Sequence, residues 1–293
     1  MPVRRLKWAT KLAYLELLRR LPDAVAVSID YFRVFGRFPN LANPQLFSEK
    51  MQHLKLLDHD PRTPGLVDKV RVKEFVANAI GEQWLIPTLW HGEHLTETVL
   101  RKMPKPAVVK ANHSSAQVKF VTANSNLASV AREANGWLGY DHHVVHREWA
   151  YGNVQRELLI EPFIGEGGAP DDYKFWVFDG VVRFIQVDHD RFSGHTRQFY
   201  SPSWTRLDLT MNYPDTPANA PPPPHLARMI AAASKLAEGF RFVRVDLYDT
   251  PQRPLFGEMT FSPEAGLCRF DPPSFDLELG ESWSYPETST AAA

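Results

Sequence analysis

Phe242-Val243-Arg244-Val245-Asp246-Leu247-Tyr248 and Leu255-Phe256-Gly257-Glu258-Met259-Thr260-Phe261 read as two apolar strands, each interrupted by one carboxylate. Burying an unpaired carboxylate is costly, so such a residue implies a nearby cation or donor. The short connection at residues 249–254 brings the two strands together, and Asp246 and Glu258 with them. Both acids can face outward, or Arg244 can neutralise one of them. A hard, oxygen-liganded cation such as magnesium accounts for both at once.

Upstream, the pattern mixes strands with helices. Phe175-Trp176-Val177-Phe178, the Asp179-Gly180 turn and residues 181–187 form a hairpin signal, since Asp-Gly supplies the positive φ that such a turn needs. Residues 157–164 are a further apolar strand, followed by a loop at 165–170, and residues 126–138 suit a helix. Pro106-Ala107-Val108-Val109-Lys110 is a short strand ending in a lysine, with Phe120-Val121 just beyond a polar turn. Residues 84–87 look strand-like, and Asp68-Lys69 opens a periodic helix through Val72, Phe75, Val76 and Ile80. The proline-rich stretch 214–224 is a loop, and its end starts a helix over 225–239. A lysine before a turn can reach phosphate oxygens, and Asn112-His113-Ser114-Ser115 offers hydroxyl and backbone N–H donors beside Lys110. Solvated lysines at a strand end are the plainer reading.

Residues 1 to about 58 are helical in pattern, broken by a loop around Pro39, Asn40, Asn43 and Pro44, with Ser48 or a neighbour starting the second helix. Arg4, Arg5 and Lys7 precede an amphipathic stretch from Trp8 to Leu21, which either packs on the domain or rests on a membrane surface; packing is the preferred reading. No run reaches the roughly 20 apolar residues of a membrane span. With 44% apolar and 12% aromatic residues the chain can bury a sizeable core. Its 33 basic residues nearly balance 34 acidic ones, which argues against nucleic acid as partner and favours a small molecule or glycan. The lone Cys268 forms no internal disulfide and fits a reducing, cytoplasmic setting.

The order of these pieces resembles the ATP-grasp superfamily: Asp68-Lys69, Val108-Val109-Lys110, Leu159-Ile160-Glu161-Pro162-Phe163-Ile164, then Arg244-Val245-Asp246 and Phe256-Gly257-Glu258-Met259-Thr260-Phe261. Phe47-Ser48-Glu49-Lys50, Asp172-Tyr173-Lys174-Phe175 and residues 242–248 are similar to the TupA-like branch, which is associated with bacterial surface-polysaccharide and teichuronopeptide synthesis. The resemblance implies an α+β ATP-grasp fold of two subdomains clasping ATP, with a helical N-terminal extension over 1–60, the catalytic domain over 61–287 and a disordered tail at 288–293.

By the same resemblance Lys69 and Lys110 contact ATP phosphates, with Ser114 and Ser115 beside them. Glu161 accepts from the adenine amino group, the backbone of Phe163 and Ile164 meets the ring edge, and Asp172 or Lys174 approaches ribose or phosphates. Asp246 and Glu258 hold magnesium, and Arg244 stabilises charge on the transferred phosphoryl group. The implied reaction is an ATP-dependent carboxylate–amine ligation through an acyl phosphate. A sugar or glycan kinase and a non-catalytic nucleotide-binding accessory protein are the alternatives. Three departures stand against the superfamily pattern: Thr260 where an asparagine is common, no glycine in residues 112–117, and no N-terminal Rossmann-like domain.

Two clusters lie outside that scheme. His142, His143 and His146 suit either a zinc site or, more simply, hydrogen-bonding histidines. Asp188, His189, Asp190, Arg191, His195 and Arg197 follow the hairpin, either as a solvated loop or as an anion site in which Arg191 and Arg197 grip a substrate carboxylate.

Overall fold

Alternation along the central strands sets the architecture. A computed structural model describes Tyr14 and residues 18–165, 168–191, 194–216 and 218–283. Most of the amphipathic stretch from Trp8 to Leu21, and the tail at 288–293, lie outside these residues. In chain order the helices are α1 (Asp23–Phe35), α2 (Phe47–Leu57), α3 (Thr63–Val67), α4 (Val72–Ile80), α5 (Glu97–Lys102), α6 (Leu127–Trp137), α7 (His142–His146), α8 (Trp149–Gly152), α9 (Leu226–Leu236) and α10 (Ser274–Glu281). The strands are β1 (Trp90–Gly92), β2 (Ala107–Ala111), β3 (Val118–Val121), β4 (Leu158–Pro162), β5 (Asp172–Phe178), β6 (Val181–His189), β7 (Thr196–Tyr200), β8 (Thr210–Met211), β9 (Phe242–Asp249), β10 (Pro254–Thr260) and β11 (Phe270–Asp271).

Two main antiparallel sheets result, and β8 and β11 pair as a third, two-stranded one. Of the main pair, the smaller runs β1-β4-β2-β3 and packs Val109, Val121 and Ile160 against Val130, Ala131 and Ala134 of α6. The larger runs β10-β9-β5-β6-β7, its β5–β6 hairpin turning at Asp179 and Gly180, both at positive φ. Successive side chains of a strand face opposite sides. On one side Phe175, Val177, Val243, Val245 and Leu247 meet α4 and α9 through Val76, Met229 and Leu236. On the other, Trp176, Phe178, Phe184 and Phe242 surround Phe47 of α2, and Leu279 of α10 joins them.

The Phe47-Ser48-Glu49-Lys50 motif fastens α2 into this second layer. Ser48 donates to Asp276 Oδ2 at 2.6 Å, Lys50 Nζ donates to the Gly280 carbonyl at 2.6 Å, and Glu49 accepts from Arg37 Nη1 at 2.8 Å and from the Asn40 and Gln45 amides at 3.2 Å each.

Two expectations are corrected. Residues 84–87 are not a strand: Glu82–Trp84 is a 3-10 turn, Trp84 is buried in the α4–α9 layer, and the Ile86 carbonyl accepts from Lys73 Nζ at 2.7 Å instead of from a strand partner. Lys69 does not open a helix but stands in the turn between α3 and α4. No helix among the described residues is long and apolar enough to cross a membrane.

Candidate active site

A cleft of about 320 Å³ opens between the two sheets. The smaller sheet contributes Lys110 and Glu161, and the larger contributes Asp172, Asp246 and Glu258. Each reaches the cleft because its strand alternates, and the polar members of β5, β9 and β10 share a face.

Lys69 is aimed by a buried polar frame. Asp68 accepts from the Val70 amide at 2.8 Å and from Asn112 Nδ2 at 3.1 Å, while Asn112 in turn accepts from the Glu157 amide at 2.8 Å. The turn is thereby tied to the smaller sheet, and Lys69 Nζ donates to the Ser114 carbonyl at 2.7 Å while standing 3.7 Å from Glu258. Ser115 lines the cleft, and the Ser114 hydroxyl donates to Gln117. The loop turns without glycine by placing Ala116 at φ 63°, a left-handed conformation that costs an L-residue energy.

Glu161 is clamped by two lysines, its Oε2 accepting from Lys110 at 2.7 Å and its Oε1 from Lys73 at 2.5 Å. Burial alone would raise its pKa, but Lys110 and Lys73 outweigh that and hold it below the ordinary glutamate value. Lys73 also donates to Thr88 Oγ1 at 2.6 Å. Phe163 and Ile164 line the cleft beyond it, with the Phe163 amide donating to the Pro106 carbonyl at 3.2 Å.

Across the cleft, Asp246 and Glu258 are direct partners on β9 and β10. A bulge at Gly257 re-aims β10 to make this pairing, and a Cβ there would stand 2.9 Å from the Asp246 carbonyl oxygen, so a side chain does not fit. Arg244 forks onto Asp246 at 2.7 Å through both Nε and Nη2, and its Nη2 also donates to Thr260 Oγ1 at 3.2 Å. Lys174 Nζ sits among three aspartates, 3.0 Å from Asp246, 3.4 Å from Asp172 and 3.8 Å from Asp188. For Glu258 burial favours the neutral acid, yet Lys69 and Arg244 reverse this and hold its pKa at about 2.

The Asp188-to-Arg197 cluster divides: Asp190 and Arg191 stand exposed, while Asp188 and Arg197 are buried, so the two arginines do not form one clamp. Asp188 of β6 and Arg197 of β7 are register partners, both nearly fully buried, with Nε 2.5 Å and Nη2 3.0 Å from the carboxylate. Arg197 Nη1 donates to the Met211 carbonyl at 3.2 Å, so its fork is occupied within the fold. Arg191 does line the cleft, donating to Asp172 at 2.8 Å. The three histidines hold no metal site: among the described residues no group of three His, Cys, Asp or Glu side chains is placed to bind an ion. His142 Nε2 instead lies 3.3 Å from Glu148, and His146 Nε2 lies 3.1 Å from the Tyr140 hydroxyl.

A family model described as TupA-like ATP-grasp matches residues 49–284. The chain belongs to the TupA-like ATP-grasp family. Its architecture is accordingly the α+β ATP-grasp fold, with one sheet in each half. No curated protein matches the chain. Similar solved structures include D-alanine–D-alanine ligase from Bacillus anthracis complexed with ATP, 18% identical with a TM-score of 0.41, covering 73% of this chain and 55% of that one. VanG D-Ala:D-Ser ligase from Enterococcus faecalis is 15% identical with a TM-score of 0.42, covering 73% and 54%. The ATP-grasp ligase PsnB, complexed with a phosphomimetic variant of its minimal precursor, Mg and ADP, is 12% identical with a TM-score of 0.40, covering 72% and 58%. The chain spans little more than half the length of these proteins.

Within this TupA-like site, three contributors escape a linear reading. Lys73 lies on α4 while Lys69 stands in the turn before it, and the reach of Lys73 to Glu161, 88 residues on, has no local signal. Gly257 and Tyr248, both lining the cleft, carry none either, because their roles depend on strand pairing.

Proposed function

We propose that the chain is an ATP-dependent carboxylate–amine ligase, acting through an acyl phosphate in bacterial surface-polysaccharide or related biosynthesis. One observation carries this reading: Lys69, Lys110 and Arg191 line a single cleft in which Asp246 and Glu258 stand side by side, backed by Lys174 and Arg244. Such a setting neutralises a polyphosphate without a large rearrangement of charge.

In this reading Glu161 and the Ile164 amide meet the adenine edge. Each oxygen of Glu161 already accepts from one lysine, and a carboxylate has capacity for a further donor. Asp172 lies toward the ribose and phosphates. Lys69 and Lys110 hold phosphate oxygens, and Arg244 and Lys174 steady the charge on the phosphoryl group as a substrate carboxylate oxygen takes it. An amine then attacks the activated carbonyl, and phosphate leaves. Positioning and electrostatics do most of this work.

Magnesium fits the donor set. Two paired carboxylates with no third acidic ligand among the described residues suit an ion that takes one or two carboxylates and completes its shell with phosphate oxygens and water. Asp246 and Glu258 would hold it, with Thr260 at the rim, and it would supply neutralising charge between the phosphates. The single cysteine, buried at Cys268, fits a cytoplasmic setting.

Mass spectrometry of reactions containing ATP, magnesium, candidate uronic acids and amino acids tests the proposal. An amide formed with ADP and free phosphate is expected. A stable phosphoester would replace it with a kinase, and nucleotide binding without turnover would reduce it to an accessory role.

A further inference from the structure

A second, smaller cleft of about 70 Å³ lies beside the first, among α2, α8 and the segment that follows β10. Lys55, Asp58, Glu148, Tyr151 and Ser262 line it, with Phe242 and Phe261 as apolar wall. Ser262 is two residues beyond Thr260, whose hydroxyl touches Arg244. Phe242 shares its face of β9 with Arg244 and Asp246, which places this cleft along the same sheet face as the charged floor of the nucleotide cleft.

The polar groups here are oriented but incompletely used. Lys55 Nζ donates to Gln52 Oε1 at 3.0 Å and to the Ala265 carbonyl at 2.9 Å, leaving one ammonium hydrogen. The Ala265 carbonyl is presented by a left-handed turn, with Glu264 at φ 52° and Ala265 at φ 55°, that Gln52 Nε2 also grips through the Gly266 carbonyl at 2.9 Å. Glu148 meets His142 through Oε1 alone. Among the described residues no ion pair joins Lys55 to Glu148, and no hydrogen bond engages Glu148 Oε2, the Tyr151 hydroxyl or the Ser262 hydroxyl. Lys55 lines the cleft with two carboxylates, Glu148 and Asp58, and among the described residues pairs with neither; Asp58 accepts from the Asp60 amide at 3.2 Å, so Lys55 and Glu148 leave a gap that a ligand with both charges can close. Burial lowers the Lys55 pKa to about 8, so occupation by an anion also relieves a strained charge.

We propose that this cleft binds a small zwitterion, a free α-amino acid, with its carboxylate on Lys55 and its ammonium on Glu148 and Tyr151. The inference rests on the ligase reading in one respect: the bound amino acid, its ammonium having passed one proton to Glu148, is then the amine whose lone pair attacks the activated carbonyl and displaces phosphate. The volume suits a small side chain or one that projects through the opening.

Ligand-observed NMR on the full chain tests this, using the standard protein amino acids as probes, with glycinamide and N-acetylglycine as single-charge controls. Nucleotide binding is measured in the same samples with magnesium and a non-hydrolysable ATP analogue. At least one free amino acid is expected to bind, and both controls to bind more weakly by about tenfold or more, as expected for loss of a charged hydrogen bond. Lys55→Met and the near-isosteric Glu148→Gln should each weaken amino-acid binding by a similar factor while leaving the affinity for the ATP analogue unchanged. Glu148→Gln should also melt as the parent does, separating lost binding from lost folding. The proposal is overturned if no free amino acid binds, or if binding is indifferent to both substitutions. Amino-acid binding without nucleotide binding would sink the ligase reading and keep this pocket; nucleotide binding with no amino-acid binding would do the reverse.

Discussion

The two ends of one sheet face differ sharply. Along β5 the side chains on that face run Asp172, Lys174, Trp176, Phe178; along β9 they run Tyr248, Asp246, Arg244, Phe242 in matching register. One end is therefore a charged floor for the nucleotide cleft, and the other an aromatic layer closed by Phe47. The change occurs within a few residues, and the aromatic end holds the strands rigidly enough to keep like and unlike charges at fixed separation. A buried charge network without such support would relax toward water, because its desolvation cost is only offset by good geometry.

The largest effect should come from breaking the aromatic end. Phe47 packs against Trp176, Phe178, Phe242, Phe270 and Trp283, with ring centroids 5.2 to 6.3 Å away. Phe47→Ala should cost about 3–5 kcal/mol in a denaturant titration. A loss under about 1 kcal/mol would mean that α2 is not integral to the sheet.

Asp246→Asn attacks the charged end. It should abolish ATP turnover and also destabilise the fold by roughly 3 kcal/mol, since Arg244 and Lys174 are left buried without their shared carboxylate. Glu258→Gln should abolish turnover equally, with a smaller stability cost, because its cationic neighbours stand at 3.7 Å. Unchanged turnover in both variants would defeat the metal assignment.

Gly257→Ala separates strand geometry from charge. The added Cβ forces β10 away from β9 where Glu258 meets Asp246, so turnover should fall while the charge count is constant. A stability loss on the order of 1–3 kcal/mol is expected from overpacking, and a fully active variant would show that the pairing tolerates a shift. Lys110→Ala should weaken ATP binding by about 2 kcal/mol in calorimetry, the worth of a charged hydrogen bond. Lys73→Ala should lower affinity less, because Lys73 acts through Glu161; equal losses would place both lysines on the nucleotide.

The smallest effect concerns pH. Burial depresses the His146 pKa from 6.5 to about 4, so the folded chain binds fewer protons there than the unfolded chain between those values. This contribution to stability is full above about pH 6.5 and is lost as pH falls toward 4. His146→Gln should flatten that part of a plot of melting temperature against pH, and an unaltered slope would show that His146 titrates normally.

Much of this was legible in sequence because it is local. The Asp-Gly turn, the alternation of β5 and β9, and the interrupted runs around Asp246 and Glu258 are dictated by backbone preference and period. The motif order was sufficient for the TupA-like resemblance. Other features depended on partners far along the chain. Phe47-Ser48-Glu49-Lys50 carries a family signature, but that it fastens α2 to α10 depends on Asp276 and Gly280, more than 200 residues away. Arg197 looked available to a substrate because nothing local reveals its register with Asp188.

The sequence by itself determined which residues are charged, where the strands alternate and which family the order of motifs matches. Only the tertiary structure decided that Lys73 clamps Glu161, that Arg197 is consumed by Asp188, that a bulge at Gly257 sets Glu258 against Asp246, and that Lys55 and Glu148 line a common cleft. The physical reason is that period and propensity act over a few residues, whereas the pairing of buried charges is settled by which strands and helices come together.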